Sequence, residues 1–243
     1  MPATHPALTI TPMPQAPEAD DILDPRPSSR LLWHLLQFYM RGYHSIHRLN
    51  RCPIPRKGPA ILVANHISAL DPLILQAACP RLITWMMAKE YYDIPLLNNI
   101  FKLIGAIPVE RSGRDLAATR AAIRALEQGQ LLGIFPEGRI ALTSEIQPLQ
   151  TGVALVALKT GVPIYPAYLD GTTRQTGMAE VFFYPQRGIV SFAPPIEPDR
   201  SDTSRSTIEA VTNSIHAALV TLQTQARESQ PSPSPTSRAN HPD

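Results

Sequence analysis

Ile61-Leu62-Val63-Ala64-Asn65-His66-Ile67-Ser68-Ala69-Leu70-Asp71-Pro72 sets the architecture of this chain. The apolar run Ala60–Ala64 has no polar alternation, which is the pattern of a strand buried on both faces. Asp71-Pro72 then opens a helical stretch, because Asp is a favoured N-cap and Pro suits the first helical position. A strand that runs through a short polar loop into a helix is the repeating unit of an α/β sheet, and His66 falls where the strand gives way to the loop. In such sheets functional groups gather at strand ends.

The same alternation continues on the C-terminal side. Leu82–Ala88, 106–109 (Ala to Val), 131–135 (Leu to Phe) and 163–169 (Pro to Leu) read as further strands. Pro72–Ala78, 96–104, 115–127 and 152–159 read as helices between them. Val181–Tyr184 and 189–192 read as a final pair of strands, followed by a helix from about Ser204. Unalternating strands separated by helices predict an α/β domain whose sheet is covered by helices on both faces.

On the N-terminal side, Leu32, Leu35, Leu36, Tyr39, Tyr43 and Ile46 share one helical face, and Arg30, His34, Gln37, Arg41, His44 and Arg48 take the other. Trp33 and Phe38 flank the boundary. Between Arg30 and Ala60 there are six Lys or Arg residues, three histidines and no acidic residue. Two readings fit: a surface helix packed on its own domain, or a helix lying in the plane of a membrane with its basic face toward anionic headgroups. The net charge of +2 by itself selects no partner. The basic stretch coincides with an amphipathic helix, not a loop with exposed aromatics, which argues against a nucleic-acid partner.

With 243 residues the chain accommodates one domain with a sizeable core. Seven prolines among residues 1–27 and the Ser/Pro-rich stretch from about Arg227 predict disorder. The expected organisation is therefore a disordered 1–28, a folded domain over 29–226 whose amphipathic helix at 29–50 lies in the membrane interface, and a disordered 227–243. No stretch approaches the roughly 20 apolar residues of a membrane span, and no secretory signal is expected. Cys52 and Cys79 give neither a disulfide framework nor metal-ligand spacing, and fit a reducing compartment.

The chemistry centres on His66. A His has an intrinsic pKa suited to general-base work at neutral pH. Asp71, after a short loop, is placed to fold back, hold one ring nitrogen and stabilise the imidazolium formed at the other. Asp71 also has the purely structural reading of a helix cap, and a lone His-x-x-x-x-Asp spacing is weak evidence.

Three more segments strengthen it. Gly105-Ala106-Ile107-Pro108-Val109-Glu110-Arg111 is preceded by Lys89-Glu90; Phe135-Pro136-Glu137-Gly138 and Val162-Pro163-Ile164-Tyr165-Pro166 follow. In this order, with Asn65-His66 through Asp71, the chain resembles the lysophosphatidic acid (1-acylglycerol-3-phosphate) acyltransferase family of glycerolipid acyltransferases. The resemblance implies a mixed, largely parallel sheet flanked by helices and direct acyl transfer from acyl-CoA or acyl-carrier protein to a lysophospholipid hydroxyl. It implies no metal or other cofactor, and a peripheral or monotopic protein on the cytoplasmic face of a membrane. By the same resemblance His66 is the base and Asp71 its orienter, Arg111 holds the acceptor phosphate, Lys89 is a further phosphate ligand, and Glu137 and Gly138 seat the acceptor. Asn65, Gly105 and Arg139 complete the expected substrate-binding set. Each has a structural counterpart: Arg111 as a surface cation, Glu137 as a turn residue, Gly105 as a loop former, Lys89 as a strand-end cation.

Two departures bear on the acceptor. The family often has Thr-Arg after Pro-Glu-Gly, where this chain has Arg139-Ile140, a version resembling bacterial fused enzymes that reacylate lysophosphatidylethanolamine. A Lys-x-Gly common further on is replaced by Gln150-Thr151-Gly152. Two other functions compete. Ser68 could serve as a hydrolase nucleophile, although no Gly-x-Ser-x-Gly elbow exists in the chain. A lipid-binding protein without turnover would explain the altered third block.

Overall fold

The computed structural model describes residues 27–110, 115–141, 143, 145–172 and 180–229. Along them come α1 (Pro27–Gly42), β1 (Ser45–Arg48), β2 (Ala60–Ala64), α2 (Asp71–Ala78), β3 (Ile83–Ala88), α3 (Lys89–Tyr92), α4 (Pro95–Leu103) and β4 (Ile107–Val109). After these follow α5 (Leu116–Glu127), β5 (Leu131–Ile134), α6 (Gly152–Thr160), β6 (Ile164–Asp170), β7 (Arg187–Phe192) and α7 (Arg205–Ser229). The seven strands form one sheet in the order β1-β7-β6-β2-β5-β3-β4. β2 lies between β5 and β6, parallel to both, and β3 extends the parallel set through β5 and β4. β7 runs antiparallel to β6, with β1 parallel to β7. The sheet is thus mixed and largely parallel, as expected.

Every residue of β2 is buried, and successive side chains serve opposite faces. Leu62 and Ala64 pack with Met40 of α1 and Ile74 and Leu75 of α2. Ile61 and Val63 pack with Ala122 of α5, Val153 of α6 and Leu219 of α7. At roughly 1.5–3 kcal/mol for each large apolar side chain removed from water, these two cores hold the layers together. Local signals set the helix ends. Asp115 accepts the Ala118 N–H at 2.8 Å and caps α5, and Gly161, at φ 67°, closes α6 in the left-handed conformation that glycine tolerates.

Four expectations are corrected. The amphipathic helix does not reach residue 50: it ends at Gly42, and Ser45–Arg48 pairs with β7 as an edge strand. Its faces also differ from the expected ones. Gln37, Met40, His44 and Arg48 are buried, whereas Leu31, Leu35, Phe38 and Tyr43 are exposed. A single helical period does not hold across a helix and the strand after it, and the side of α1 against α2 includes a polar contact, Gln37 Nε2 to the Gln76 carbonyl. The side chains of Leu32 and Trp33 lie outside the described residues. The segment around Val181–Tyr184 is a 3-10 turn at Glu180–Phe182, not a strand. Finally, α7 continues to Ser229, beyond the expected domain end at 226.

Candidate active site

His66 lies two residues past the end of β2, at the carboxyl end of the parallel strands. Its ring is half-buried, and Nδ1 lies 2.8 Å from Asp71 Oδ2. The same carboxylate oxygen accepts the backbone N–H groups of Ile67 at 2.6 Å and Ser68 at 2.8 Å. Asp71 makes no capping hydrogen bond to α2; its N-cap position is Leu70, which offers no side-chain cap. The expected cap is replaced by a tighter device, in which one fully buried carboxylate folds the loop Ile67–Leu70 around itself and presents an oxygen to the imidazole. With Nδ1 engaged by an acceptor, Nδ1 carries the hydrogen in the neutral ring and Nε2 is the nitrogen able to take a proton.

The ring is also fixed from its face. His66 stacks on Phe135, with centroids 4.1 Å apart and planes within 13°, and Phe135 stacks on Trp85 at 4.9 Å and 4°. Gly133 makes room for this column: a Cβ there would come within 2.7 Å of both Ile83 and Trp85 side-chain atoms. Sequence reasoning missed Trp85, Phe135 and Gly133 as a unit. Their signal was alternation across neighbouring parallel strands, legible only once β3 and β5 are known to pair, with Trp85 opposite Gly133.

Glu137 sits beneath the loop, and only 6% of it is exposed. Its Oε1 accepts the His66 N–H at 3.3 Å, and the Gln147 N–H also approaches the carboxylate. Burial raises its pKa to about 7, against the lowering effect of those two N–H groups; Asp71 adds to the rise and Arg139 opposes it. Gly138, at φ 70°, turns the chain where a side chain would strike Gln150. The Ala141 N–H donates to the His66 carbonyl at 2.7 Å, and the Gln150 N–H to the Pro136 carbonyl at 2.8 Å, strapping this segment to the His66 loop.

The other expected residues are distributed as follows. Asn65 is buried, and its amide both donates to the Leu169 carbonyl, at 2.9 Å, and accepts the Leu169 N–H, at 2.7 Å, latching the end of β2 to β6. Lys89 stands exposed at the end of β3, 2.9 Å from Glu110, whose hydrogen bond holds the ammonium above its usual pKa. Gly105, at φ 70°, makes the turn into β4. Arg139 is exposed beside Glu137. Arg111 lies outside the described residues. Ser68 is 4% exposed, and its hydroxyl accepts the Leu70 N–H at 3.3 Å, a turn contact that gives no support to a nucleophilic role.

A sheet covered on both faces, with a carboxylate-oriented imidazole at the end of its central strand, is the arrangement of an α/β enzyme, and its Nε2 is able to accept a proton. The chain belongs to the Acyltransferase family, whose sequence model matches residues 45–170. Among its relatives, a 1-acyl-sn-glycerol-3-phosphate acyltransferase of Borreliella burgdorferi is 37% identical over 123 residues, covering 49% of this chain and 48% of that one. The Bacillus subtilis protein of the same name is 28% identical over 123 residues, 50% of this chain and 61% of that one. The chain thus spans about half the length of the curated relatives it matches. In fold it resembles the crystal structure of the 1-acyl-sn-glycerophosphate (LPA) acyltransferase PlsC from Thermotoga maritima, with a TM-score of 0.67, 20% identity, and coverage of 87% of this chain and 86% of that one.

Proposed function

We propose that this protein transfers a fatty acyl group from an acyl thioester, acyl-CoA or acyl-carrier protein, to the free hydroxyl of 1-acylglycerol-3-phosphate, giving phosphatidic acid. The observation that carries the reading is the 2.8 Å contact between His66 Nδ1 and an Asp71 carboxylate already locked by two backbone N–H groups. His66 Nε2 removes the acceptor's hydroxyl proton as that oxygen attacks the thioester carbonyl. The tetrahedral adduct then expels the thiolate, which receives the proton from the imidazolium. The ester bond forms, the carbon–sulfur bond breaks, and His66 returns neutral. Asp71 keeps the tautomer fixed and stabilises the cation, while the Phe135–Trp85 column fixes the ring plane.

In this reading Asn65 positions the His66 loop, its amide being committed to Leu169, while Glu137, whose Oε2 has no partner within the protein, and Gly138 help seat the acceptor beside that loop. Lys89, Arg139 and Arg111 are left to meet the phosphate. Gly105 shapes the turn that leads to Arg111. No metal is assigned a role, since a base and proximity suffice for this transfer. The matched relatives' names favour the lysophosphatidic acid acceptor, and Arg139-Ile140 makes lysophosphatidylethanolamine the first competitor to test.

The reading places the protein on the cytoplasmic face of a membrane, where thioester donors are available. No described helix is long and apolar enough to cross a bilayer. The exposed Leu31, Leu35 and Phe38 of α1, with Phe183 and Tyr184, supply an apolar surface for lipid. Tyr39 and Tyr43 donate their hydroxyls to the carbonyls of Phe182 and Phe183, joining these two segments.

The test is an acyl-transfer assay with purified protein, long-chain acyl-CoA or acyl-carrier protein, and lysophosphatidic acid, lysophosphatidylethanolamine, glycerol 3-phosphate or no acceptor. Turnover on lysophosphatidic acid that falls by at least about a thousandfold in His66→Ala, roughly 4 kcal/mol of barrier, supports the proposal. Equal rates in His66→Ala, or thioester loss without acceptor, would overturn it.

A further inference from the structure

Two thiols unused by the acyl transfer meet at the other end of the sheet. β1 runs opposite to β2, so its last residue, Arg48, lies at the amino ends of the parallel strands, where α2 also terminates. Cys52 follows β1, and Cys79 is the C-cap residue of α2. Arg48, four residues before Cys52, reaches the Ala78 carbonyl next to Cys79, and the two thiols influence each other's ionisation. Cys79 is buried and Cys52 half-buried against the same apolar cluster.

Two guanidiniums flank the pair. Arg48 is 5% exposed and donates to the Ala78 carbonyl at 3.4 Å; Arg81 is fully buried and donates to the Gly129 carbonyl at 3.2 Å. Nε of both, and Nη2 of Arg81, lack a hydrogen-bond partner. Among the described residues no carboxylate forms an ion pair with either. Buried cations without an anion are costly. The ionisable groups of opposite sign near Arg48 are Cys52 and Cys79, and near Arg81 they are Cys79 and Tyr165.

We propose that Cys52 and Cys79 form an oxidisable dithiol, with Cys52 the peroxide-reactive thiol and Cys79 its resolving partner. The asymmetry follows first from access, since peroxide can reach half-buried Cys52 and not enclosed Cys79, and the surroundings act in the same direction. Donation from the Cys79 thiol, then the Ile54 N–H and the Arg48 charge, lower the Cys52 pKa against its burial. The Cys79 thiol, giving that hydrogen bond and fully enclosed, is held well above its usual pKa and keeps its proton. A thiolate beside arginine is the form that reacts with peroxide.

In the first step Cys52 Sγ attacks one peroxide oxygen; an S–O bond forms, the O–O bond breaks, hydroxide departs and Cys52 becomes a sulfenic acid. In the second, Cys79 Sγ attacks Cys52 Sγ; the S–O bond breaks, and the Cys79 proton leaves with the hydroxyl as water. The disulfide is the two-electron oxidation product and peroxide the species reduced. The bond would tie the β1–β2 connection to the end of α2 whose first residue is Asp71.

Full-length reduced protein is treated with hydrogen peroxide at pH 7, alkylated, and digested without reductant for mass spectrometry. The expected product is an intramolecular Cys52–Cys79 linked peptide that dithiothreitol reverses. Cys79→Ser should instead give a dimedone adduct on Cys52, and Cys52→Ser should leave Cys79 reduced. Arg48→Met should slow the oxidation about tenfold, the effect of moving a thiol pKa by one unit, and the charge-keeping Arg48→Lys should restore most of it. Melting curves of each variant identify any that fail to fold, and the two serine variants decide the matter without Arg48. Both thiols still reduced in folded, peroxide-treated protein, disulfides only between copies, or Cys79 oxidation undiminished in Cys52→Ser would overturn the proposal.

Discussion

One oxygen of Asp71 serves both the loop and the His66 imidazole. Removing it in Asp71→Ala strands the Ile67 and Ser68 N–H groups in a buried loop. At about 1–3 kcal/mol for each unsatisfied donor, urea denaturation should show a loss on the order of 3 kcal/mol, larger than a lost helix cap would cause, together with loss of turnover. A variant as stable as the parent would mean that the loop does not depend on this carboxylate. Glu137 makes the opposite contribution. Its folded pKa of about 7 lies above the ordinary 4.5, so the folded protein keeps a proton there that the unfolded chain releases as pH rises. Stability contributed by this group therefore falls between pH 4.5 and about 7, by on the order of 3 kcal/mol in full. Glu137→Gln, neutral throughout, should gain stability relative to the parent as pH goes from about 5 to 8. Unfolding free energies measured across that range check it; a parallel pair of curves would mean that Glu137 ionises freely.

α1 has two apolar faces with different duties, and they can be separated by substitution. Met40 is fully buried against α2 and the sheet, so Met40→Ala should cost about 2–5 kcal/mol. Leu35 and Phe38 are 57% and 80% exposed; Leu35→Ser with Phe38→Ser should leave the melting temperature within a degree or two, since little packing is lost, yet release the protein from anionic vesicles in a flotation assay. Unfolding by the outward pair would return both faces to the core. This is also the element that the sequence described least well. Helical period located the helix but not its end or inward side, because Gly42 breaks the helix and an edge strand follows whose partner, β7, lies far along the chain. The buried strands β2, β3, β5 and β6 were legible because unbroken apolar runs between helices have few alternatives. Phe182 and its neighbours were misread as a strand for a related reason: a short aromatic run looks the same whether it pairs or turns under α1. At the site, His66 and Asp71 could be read from spacing and family likeness. The aromatic column and the internal engagement of Asn65 and Glu137 required knowing which strands are neighbours.

At the scale of the molecule, the sheet separates two chemistries, with the imidazole at the carboxyl ends of the parallel strands and the thiol pair at their amino ends. Chain direction gathers more at the first end. β1 and β7 run opposite to β2, so Tyr43, before β1, and Tyr184, before β7, lie toward the His66 end. Ile94 follows β3 and α3 and belongs to that end too. Exposed apolar residues thus stand on both sides of the His66 end of the sheet, with Phe183 and Tyr184 beyond one edge and Ile94 and Leu97 beyond the other. A molecule seated through both would face its active end to the bilayer, where a lysolipid's hydroxyl lies at headgroup depth. Substituting one rim, Phe183→Ser with Tyr184→Ser, and the other, Ile94→Ser with Leu97→Ser, should then act alike. Each should raise the apparent KM for long-chain lysophosphatidic acid presented in vesicles while leaving kcat, and the rate on a water-soluble short-chain acceptor, within about twofold of the parent, because only uniform binding is removed. Combining the rims should multiply the KM effects if both meet one surface, since distant sites contribute additively in free energy. An effect confined to the Phe183 side, or an equal loss on the soluble acceptor, would show that the protein does not approach lipid with its active end.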